Sequence, residues 1–333
     1  MTQLTGAVVG IGGIGKSHVA MLRDAGPVKL VGVVDANPAQ REVAEKDFPG
    51  VPFFTSPEAL LATVVPNVVT LATPHHLHAP LAIQFLKAGS HVISEKPMAT
   101  TYEDAIAMCE ASEKAGKYLT VFHNRRIDPW FLAARDVIRE GLLGEVFETN
   151  IAIGGSNWFN NTWRDRKHES GGVLFDWGVH LTDYALHFTE AKPKTVSGFL
   201  YKEAGADPKR NELHGTIQIR FDNNSVANLT LSAAMYAPVQ RYRIYGTKGT
   251  LIDEWNWNDD AKLKVYTKLG GGETTTMDVQ YKRTTWQDWY NMTIADLAAD
   301  KEPMITARSA ARNIRVLTLA EESHQRGGAP LEI

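Results

Sequence analysis

Gly10, Gly12 and Gly15 stand in a G-x-G-x-x-G spacing, directly after the apolar run Thr5 to Val9 and before a helical pattern. A strand has to turn sharply into a helix there, and each glycine answers a separate steric demand. Gly10 permits the tight turn, Gly12 lets the backbone approach a pyrophosphate, and Gly15 allows the helix to pack close to the strand. The amides of Gly13 and Ile14 then fall at a helix N-terminus, where the dipole favours an anion. Asp35 follows 20 residues after Gly15, at the end of the next apolar run. A carboxylate in that place accepts hydrogen bonds from ribose hydroxyls and repels a 2′-phosphate. The pattern points to a bound dinucleotide, and to NAD ahead of NADP, although Arg41 is a cation able to reach a phosphate.

The rest of the first 123 residues supports a nucleotide-binding fold. Apolar runs at Lys29 to Val34, Val68 to Leu71, His91 to Ser94 and Tyr118 to Phe122 alternate with helical patterns such as Thr101 to Ala115, which Gly116 would end. Continuously apolar strands are those covered on both faces, and strand–helix alternation implies a doubly wound parallel sheet. From about Val146 the period becomes two. In Leu213 to Phe221, the residues Leu213, Gly215, Ile217, Ile219 and Phe221 face one way, and His214, Thr216, Gln218 and Arg220 the other. Ala227 to Ala233 and Arg241 to Tyr245 repeat this, predicting an antiparallel sheet whose second face is either solvated or a subunit contact. Helical stretches at Pro129 to Glu140 and Ala307 to Glu322 flank it. The expected fold is α/β, with a doubly wound sheet in residues 1–124 and a large, mostly antiparallel open sheet in 125–333.

Composition sharpens the division. The chain has 333 residues, and all eight tryptophans (Trp130, Trp158, Trp163, Trp177, Trp255, Trp257, Trp286 and Trp289) fall after residue 129. The net charge of −3 gives no electrostatic case for a nucleic-acid or anionic-membrane partner. One cysteine, Cys109, excludes an internal disulfide and fits a reducing compartment; on its helical pattern it reads as inert core. No apolar run is long enough to span a membrane, and the opening residues lack the pattern of a cleaved signal, so a cytoplasmic location is expected.

Two further signatures carry a resemblance. Ser94-Glu95-Lys96-Pro97 ends an apolar run, and Ser170-Gly171-Gly172-Val173-Leu174-Phe175-Asp176-Trp177-Gly178-Val179-His180-Leu181-Thr182-Asp183 comes later. With the glycine loop, they make the chain resemble the glucose–fructose oxidoreductase/inositol dehydrogenase/MocA family over nearly its whole length. Thr73-Pro74-His75-His76-Leu77-His78, Asn124-Arg125-Arg126 and Trp163-Arg164 sit where that family places similar motifs. The resemblance implies a Rossmann domain, an open-sheet domain that pairs subunits into a homodimer or homotetramer, and a sugar or cyclic polyol as substrate. It implies catalysis by Lys96, Asp176 and His180, and a cis bond before Pro97. Cofactor contacts would come from Thr73, His75, His78, Glu95, Lys96 and Arg164, in addition to the glycine loop and Asp35. Substrate contacts would come from Asn124, Arg125 and Trp163 besides the three catalytic residues. The family commonly has Asn where His75 stands.

The residues themselves make that chemistry reasonable. If Asp176 to Phe188 is one helix, Asp176, His180, Asp183 and His187 form a polar stripe beside the apolar stripe Leu181, Ala185 and Phe188. Removal of a hydride from an alcohol needs a base near neutrality, which histidine supplies, and an ammonium such as Lys96 stabilises the developing alkoxide. Asp176 would orient either the imidazole or a substrate hydroxyl. Asn124 and Arg125 would touch substrate or nicotinamide, or serve a structural ion pair. Trp158 and Trp163 would stack on a sugar or simply pack. The histidines at 75, 76 and 78 lack nearby Cys or carboxylate partners, and no metal is expected. Two other functions stay open on the same fold: a non-catalytic sugar and NAD sensor, and an enzyme that keeps NAD bound and uses transient oxidation for glycoside chemistry.

Overall fold

The computed structural model describes residues 3–155, 162–237, 239–254, 262–268, 270 and 272–333. The chain divides into two compact units, one of residues 1–124 with 285–314, the other of residues 125–284 with 315–333.

Among the described residues, the first unit carries a six-stranded sheet. Its strands are β1 (Leu4–Val9), β2 (Val28–Val34), β3 (Phe53–Phe54), β4 (Val68–Leu71), β5 (His91–Ser94) and β6 (Leu119–Val121), in the order β3-β2-β1-β4-β5-β6. All pairs are parallel. The helices α1 (Gly13–Asp24), α2 (Gln40–Asp47), α3 (Pro57–Thr63), α4 (His78–Ala88) and α5 (Tyr102–Ala115) make the crossovers. Local signals set their ends. Thr101 accepts from the Asp104 amide at 3.1 Å to open α5, and Gly116, with φ +59°, closes it in the left-handed conformation. Every residue of β4 and β5 is buried, as a doubly covered sheet requires.

Register places the ligand-facing edge. Val34 pairs with Val9, Val9 with Leu71, Leu71 with Ser94 and Ser94 with Val121, so five strands end in one row. Asp35, Gly10, Thr73, Lys96 and Asn124 leave that row within three residues of a strand end. Strand order reverses between β1 and β4, which is where open α/β sheets bind ligands.

Among its described residues, the second unit holds α6 (Pro129–Arg139), α7 (Lys167–Ser170), α8 (Val179–His187) and a nine-stranded mixed sheet. Its strands are β7 (Val146–Gly154), β8 (Pro193–Tyr201), β9 (His214–Phe221), β10 (Val226–Ser232), β11 (Tyr242–Gly246), β12 (Gly249–Asp253), β13 (Leu263–Lys268), β14 (Thr274–Val279) and β15 (Leu331–Glu332). They lie in the order β14-β13-β12-β11-β7-β10-β9-β8-β15; only β7 and β10 pair in parallel. One face is buried through Ile151, Ile153, Ile217, Ile219, Leu229, Leu231 and Ile244. The other carries an amide ladder: Gln218 donates to Asn228 at 3.0 Å, Asn228 to Asn150 at 3.0 Å, and Asn150 to Glu148 at 2.9 Å. Phe199 and Tyr201 stand exposed on the β8 edge of this open face.

The expected single division after residue 124 needs a correction. Residues 285–314 return to the first unit, because helix α9 (Trp286–Ala298) buries Trp289 and Tyr290 there. The Trp289 ring meets Phe122 edge-on at 4.9 Å. The tryptophan step therefore does not mark the domain boundary: Trp286 and Trp289 belong with the nucleotide-binding sheet. Helix α10 (Ala307–Gln325) gives its residues up to Ile314 to the first unit and those from Arg315 to the second. Trp158, Trp255 and Trp257 lie outside the described residues.

Candidate active site

The glycine loop has the geometry its spacing demands. Gly10 has φ +87°, and a side-chain carbon there would come within 2.5 Å of the Ala72 carbonyl. At Gly15 it would strike the Gly10 carbonyl, whereas at Gly12 and Gly13 it would meet nothing within 4 Å. The open side of the loop therefore faces Gly12 and Gly13. Helix α1 starts there with no side-chain cap and no acidic residue in its first turn. Its first amides, Gly13 and Ile14 among them, keep their hydrogen-bonding capacity and the positive end of the dipole for an anion. Asp35 Oδ2 accepts the Ile11 amide at 3.0 Å, so the carboxylate also braces the loop. Arg41 lies with its guanidinium 4.9 Å from the centre of the Phe53 ring. These groups suit a dinucleotide: an uncapped N-terminus for the pyrophosphate and a half-buried carboxylate for a ribose.

At the end of β5, Glu95 is buried and Lys96 half-buried, with a cis bond between Lys96 and Pro97. Glu95 Oε2 accepts the Lys96 amide at 2.8 Å, and Oε1 lies 2.9 Å from His18 Nε2. Burial pushes the Glu95 carboxyl up, but the hydrogen bond and charge of His18 and the proximity of Lys96 outweigh it and hold the group at about 2. Both its oxygens are thus engaged inside the protein. His78, expected at the cofactor, is fully buried, with Nδ1 2.8 Å from the Pro97 carbonyl and Nε2 3.0 Å from the Thr73 carbonyl. Burial pushes its imidazole below the usual histidine range. Glu95 and His78 thus hold the backbone on either side of the Lys96 side chain. Thr73 borders the loop, its methyl 3.2 Å from where a Gly10 side-chain carbon would sit. His75 is buried on the turn His75–Leu77, its ring 5.7 Å from that of His78. Among the described residues, no group of three or more His, Cys, Asp or Glu is placed to hold a metal ion.

Asp176 and His180 belong to the second unit, and the segment bearing them differs from the expected helix. Leu174–Gly178 is a turn of π-helix, and the α-helix starts only at Val179. The wider turn shifts the angular spacing, and the expected polar stripe divides into separate contacts. Asp176 pairs with Arg164 at 2.7 Å, and that guanidinium rests 4.6 Å over the Trp163 ring. Asp183, 1% exposed, takes a two-pronged hydrogen bond from Arg126 at 2.7 to 3.1 Å and is structural. His187 donates Nδ1–H to the Asp183 carbonyl at 2.7 Å. Gly178 faces Leu317 and Leu231, where a side-chain carbon would make ordinary contacts at 3.4 and 3.6 Å.

His180 lines a cavity of about 50 Å³ with Arg125, Trp177, Tyr184 and Arg241, and Ile153 and Leu181 form its apolar wall. Arg125 makes the ion pair that one of its two readings expects and also borders the cavity. It pairs with Asp128 at 2.9 Å and lies 5.7 Å from the Trp177 ring centre at the cavity. Burial pushes the Asp128 carboxyl up against the pull of Arg125. Arg241 pairs with Asp253 at 2.5 Å and stacks 4.4 Å over Trp130. Asn124 is buried at the start of the turn Asn124–Ile127. Sequence reasoning passed over Trp177, Tyr184 and Arg241. Trp177 was legible as a neighbour of Asp176, whereas Arg241 reaches the cavity from a point distant in sequence, just before β11. Cys109 is buried and its thiol is pushed up to about 11 by burial, as suits inert core.

Residues 4–123 match the family described as "Oxidoreductase family, NAD-binding Rossmann fold", and residues 131–252 match "GFO/IDH/MocA C-terminal domain". The 1-carboxy-3-chloro-3,4-dihydroxycyclohexa-1,5-diene dehydrogenase of Comamonas testosteroni is 33% identical over 67% of this chain, and the match spans 57% of that protein's length. The D-glucoside 3-dehydrogenase of Escherichia coli K12 is 30% identical over 69% of this chain and 70% of its own. The crystal structure of an NAD-binding protein from Listeria innocua superposes with a TM-score of 0.88 at 28% identity, covering 99% of this chain and 97% of that one.

Proposed function

The chain belongs to the glucose–fructose oxidoreductase/inositol dehydrogenase/MocA family of NAD-binding oxidoreductases, and on that premise we propose that it oxidises a hydroxyl-bearing ring carbon of a sugar or cyclic polyol. The observation that carries this is His180, a buried imidazole lining a cavity with Trp177, Tyr184 and two arginines. The two curated relatives named above are dehydrogenases of a glucoside and of a dihydroxylated carbocycle, and a ring bearing hydroxyls is the substrate class adopted here.

When bound, NAD supplies the hydride acceptor. The Gly12, Gly13 and Ile14 backbone would hold its pyrophosphate, and Asp35 an adenosine ribose hydroxyl. The Asp35 charge favours NAD over NADP, and Arg41 is engaged with Phe53. His180 takes the proton of the reacting hydroxyl as general base. The Lys96 ammonium stabilises the alkoxide that this creates. Asp176, held by Arg164, orients the reacting diol, and Trp177 and Trp163 offer aromatic faces to the ring. The open sheet face, with its amide ladder and its exposed Phe199 and Tyr201, is assigned to a subunit contact, which light scattering after size exclusion would test.

The decisive experiment follows nicotinamide absorbance with monosaccharides, inositols and glycosides and both cofactors. NAD reduction that Lys96→Ala and His180→Ala abolish is the expected result. Full rates in both variants would overturn the assigned roles. Binding without turnover of any compound would make the protein a sensor, and product without net NADH would indicate a cofactor retained through the cycle.

A further inference from the structure

Neither the phosphate loop nor the cavity uses the side chain of His18, yet it is fully buried on the helix that follows the glycine loop. Its Nδ1 lies 2.7 Å from the Tyr290 hydroxyl, which lies 3.2 Å from Thr70 Oγ1. Its Nε2 faces Glu95 Oε1 at 2.9 Å. An ionised carboxylate only accepts, so Nε2 is the donor at that end. The other Glu95 oxygen accepts the Lys96 amide. One carboxylate thereby ties the peptide that bears the Lys96 side chain to α1 and, through the imidazole, to α9. On the far side of the lysine, His78 faces the Pro97 carbonyl at 2.8 Å. Polar side chains buried in this way are costly unless every partner is in place, and apolar residues of similar volume would fill the same space without that requirement. Such a network does what apolar packing cannot: it fixes the direction of one peptide N–H.

We propose that Glu95, held by His18 and Tyr290, is a positioning residue that sets the aim of the Lys96 ammonium and links that aim to the helix carrying the phosphate loop. The inference rests on the reading of Lys96 as the alkoxide-stabilising group. It concerns only groups of the first unit.

Glu95→Gln and Tyr290→Phe preserve volume, and Tyr290→Phe keeps the ring packed on Phe122 and Trp289. Competitive acetylation with acetic anhydride, read by mass spectrometry, compares Lys96 with the exposed Lys46 and Lys301 in the same sample. A lysine released from its fixed peptide reaches solvent more often. Its relative labelling should rise at least threefold in Glu95→Gln and by a smaller factor in Tyr290→Phe. On a substrate found in the screen, kcat should fall at least tenfold in Glu95→Gln while the KM for NAD stays within threefold. Unchanged labelling in a folded Glu95→Gln protein would overturn the proposal, whatever the change in melting temperature. Shifted labelling together with full turnover by Lys96→Ala would leave the clamp standing and remove the assigned role of Lys96. If no compound is oxidised, the dehydrogenase reading fails, and labelling still decides the clamp.

Discussion

Arg164 Nη1 lies 2.7 Å from Asp176 Oδ1, joining two residues that the sequence placed in different roles, one at the cofactor and one at the substrate. The carboxylate is buried and the guanidinium more than a third exposed, so the arginine covers the acid on its open side. A pair acting as one unit gives non-additive losses. Arg164→Met and Asp176→Asn should each lower kcat/KM about tenfold or more, and the double variant should fall short of the product by a coupling of ~1–2 kcal/mol. A double-mutant cycle in steady-state kinetics measures it. Strictly multiplicative losses would mean that the two residues act separately.

Arg126 and Asp183 form the most enclosed ion pair tied to the His180 helix, at 8% and 1% side-chain exposure. Removing one partner strands a buried charge. Arg126→Met should destabilise the protein by about 3–5 kcal/mol, and Arg126→Met with Asp183→Leu should recover most of that loss. Urea unfolding followed by tryptophan fluorescence tests both. An undiminished midpoint in Arg126→Met would show that Asp183 finds another partner.

Arg126 also marks how far sequence reading reached. Strands β4 and β5 were legible to the residue, because each is a short run with an apolar centre, buried on both faces, that ends where the chain turns. The phosphate loop was legible because backbone crowding at Gly10 and Gly15 leaves few other residues possible there, and Gly12 completes the spacing. The helix from Asp176 was misread, since its spacing looks regular until the π-turn at Leu174–Gly178 shifts the register. Nothing in a list of polar residues announces that shift. Likewise, the polar stripe could not reveal that Arg126, far away in sequence, claims Asp183. The return of residues 285–314 to the first unit was hidden for the same reason: it depends on Trp289 meeting Phe122 and on Tyr290 meeting His18, contacts that periodicity does not encode.

Asp35 does two things that substitutions can separate. It accepts the Ile11 amide at 3.0 Å, and it presents a negative charge at the edge of the loop. Asp35→Asn keeps an acceptor for the amide and removes the charge. It should bring the kcat/KM values for NAD and NADP closer by about tenfold, with little loss of thermal stability. Asp35→Ala removes both and should in addition raise the KM for either cofactor. Equal NAD preference in Asp35→Asn and the parent would assign discrimination to another group.

Glu95 gives the protein a defined acid limb. Burial alone would raise its carboxyl, but His18 and Lys96 hold it at about 2 in the folded state, against 4.5 ordinarily. The folded state thus binds this proton more weakly than the unfolded chain, so stability rises with pH across that interval. The contribution is complete above about pH 4.5 and is lost as pH falls toward 2; its size is on the order of 3 kcal/mol. Glu95→Gln cannot titrate there. Its melting temperature between pH 3 and 6 should fall less steeply than that of the parent, even though the variant starts lower at neutral pH. Parallel slopes for the two proteins would place the acid sensitivity on other carboxylates and remove the ionised clamp from the account of this fold.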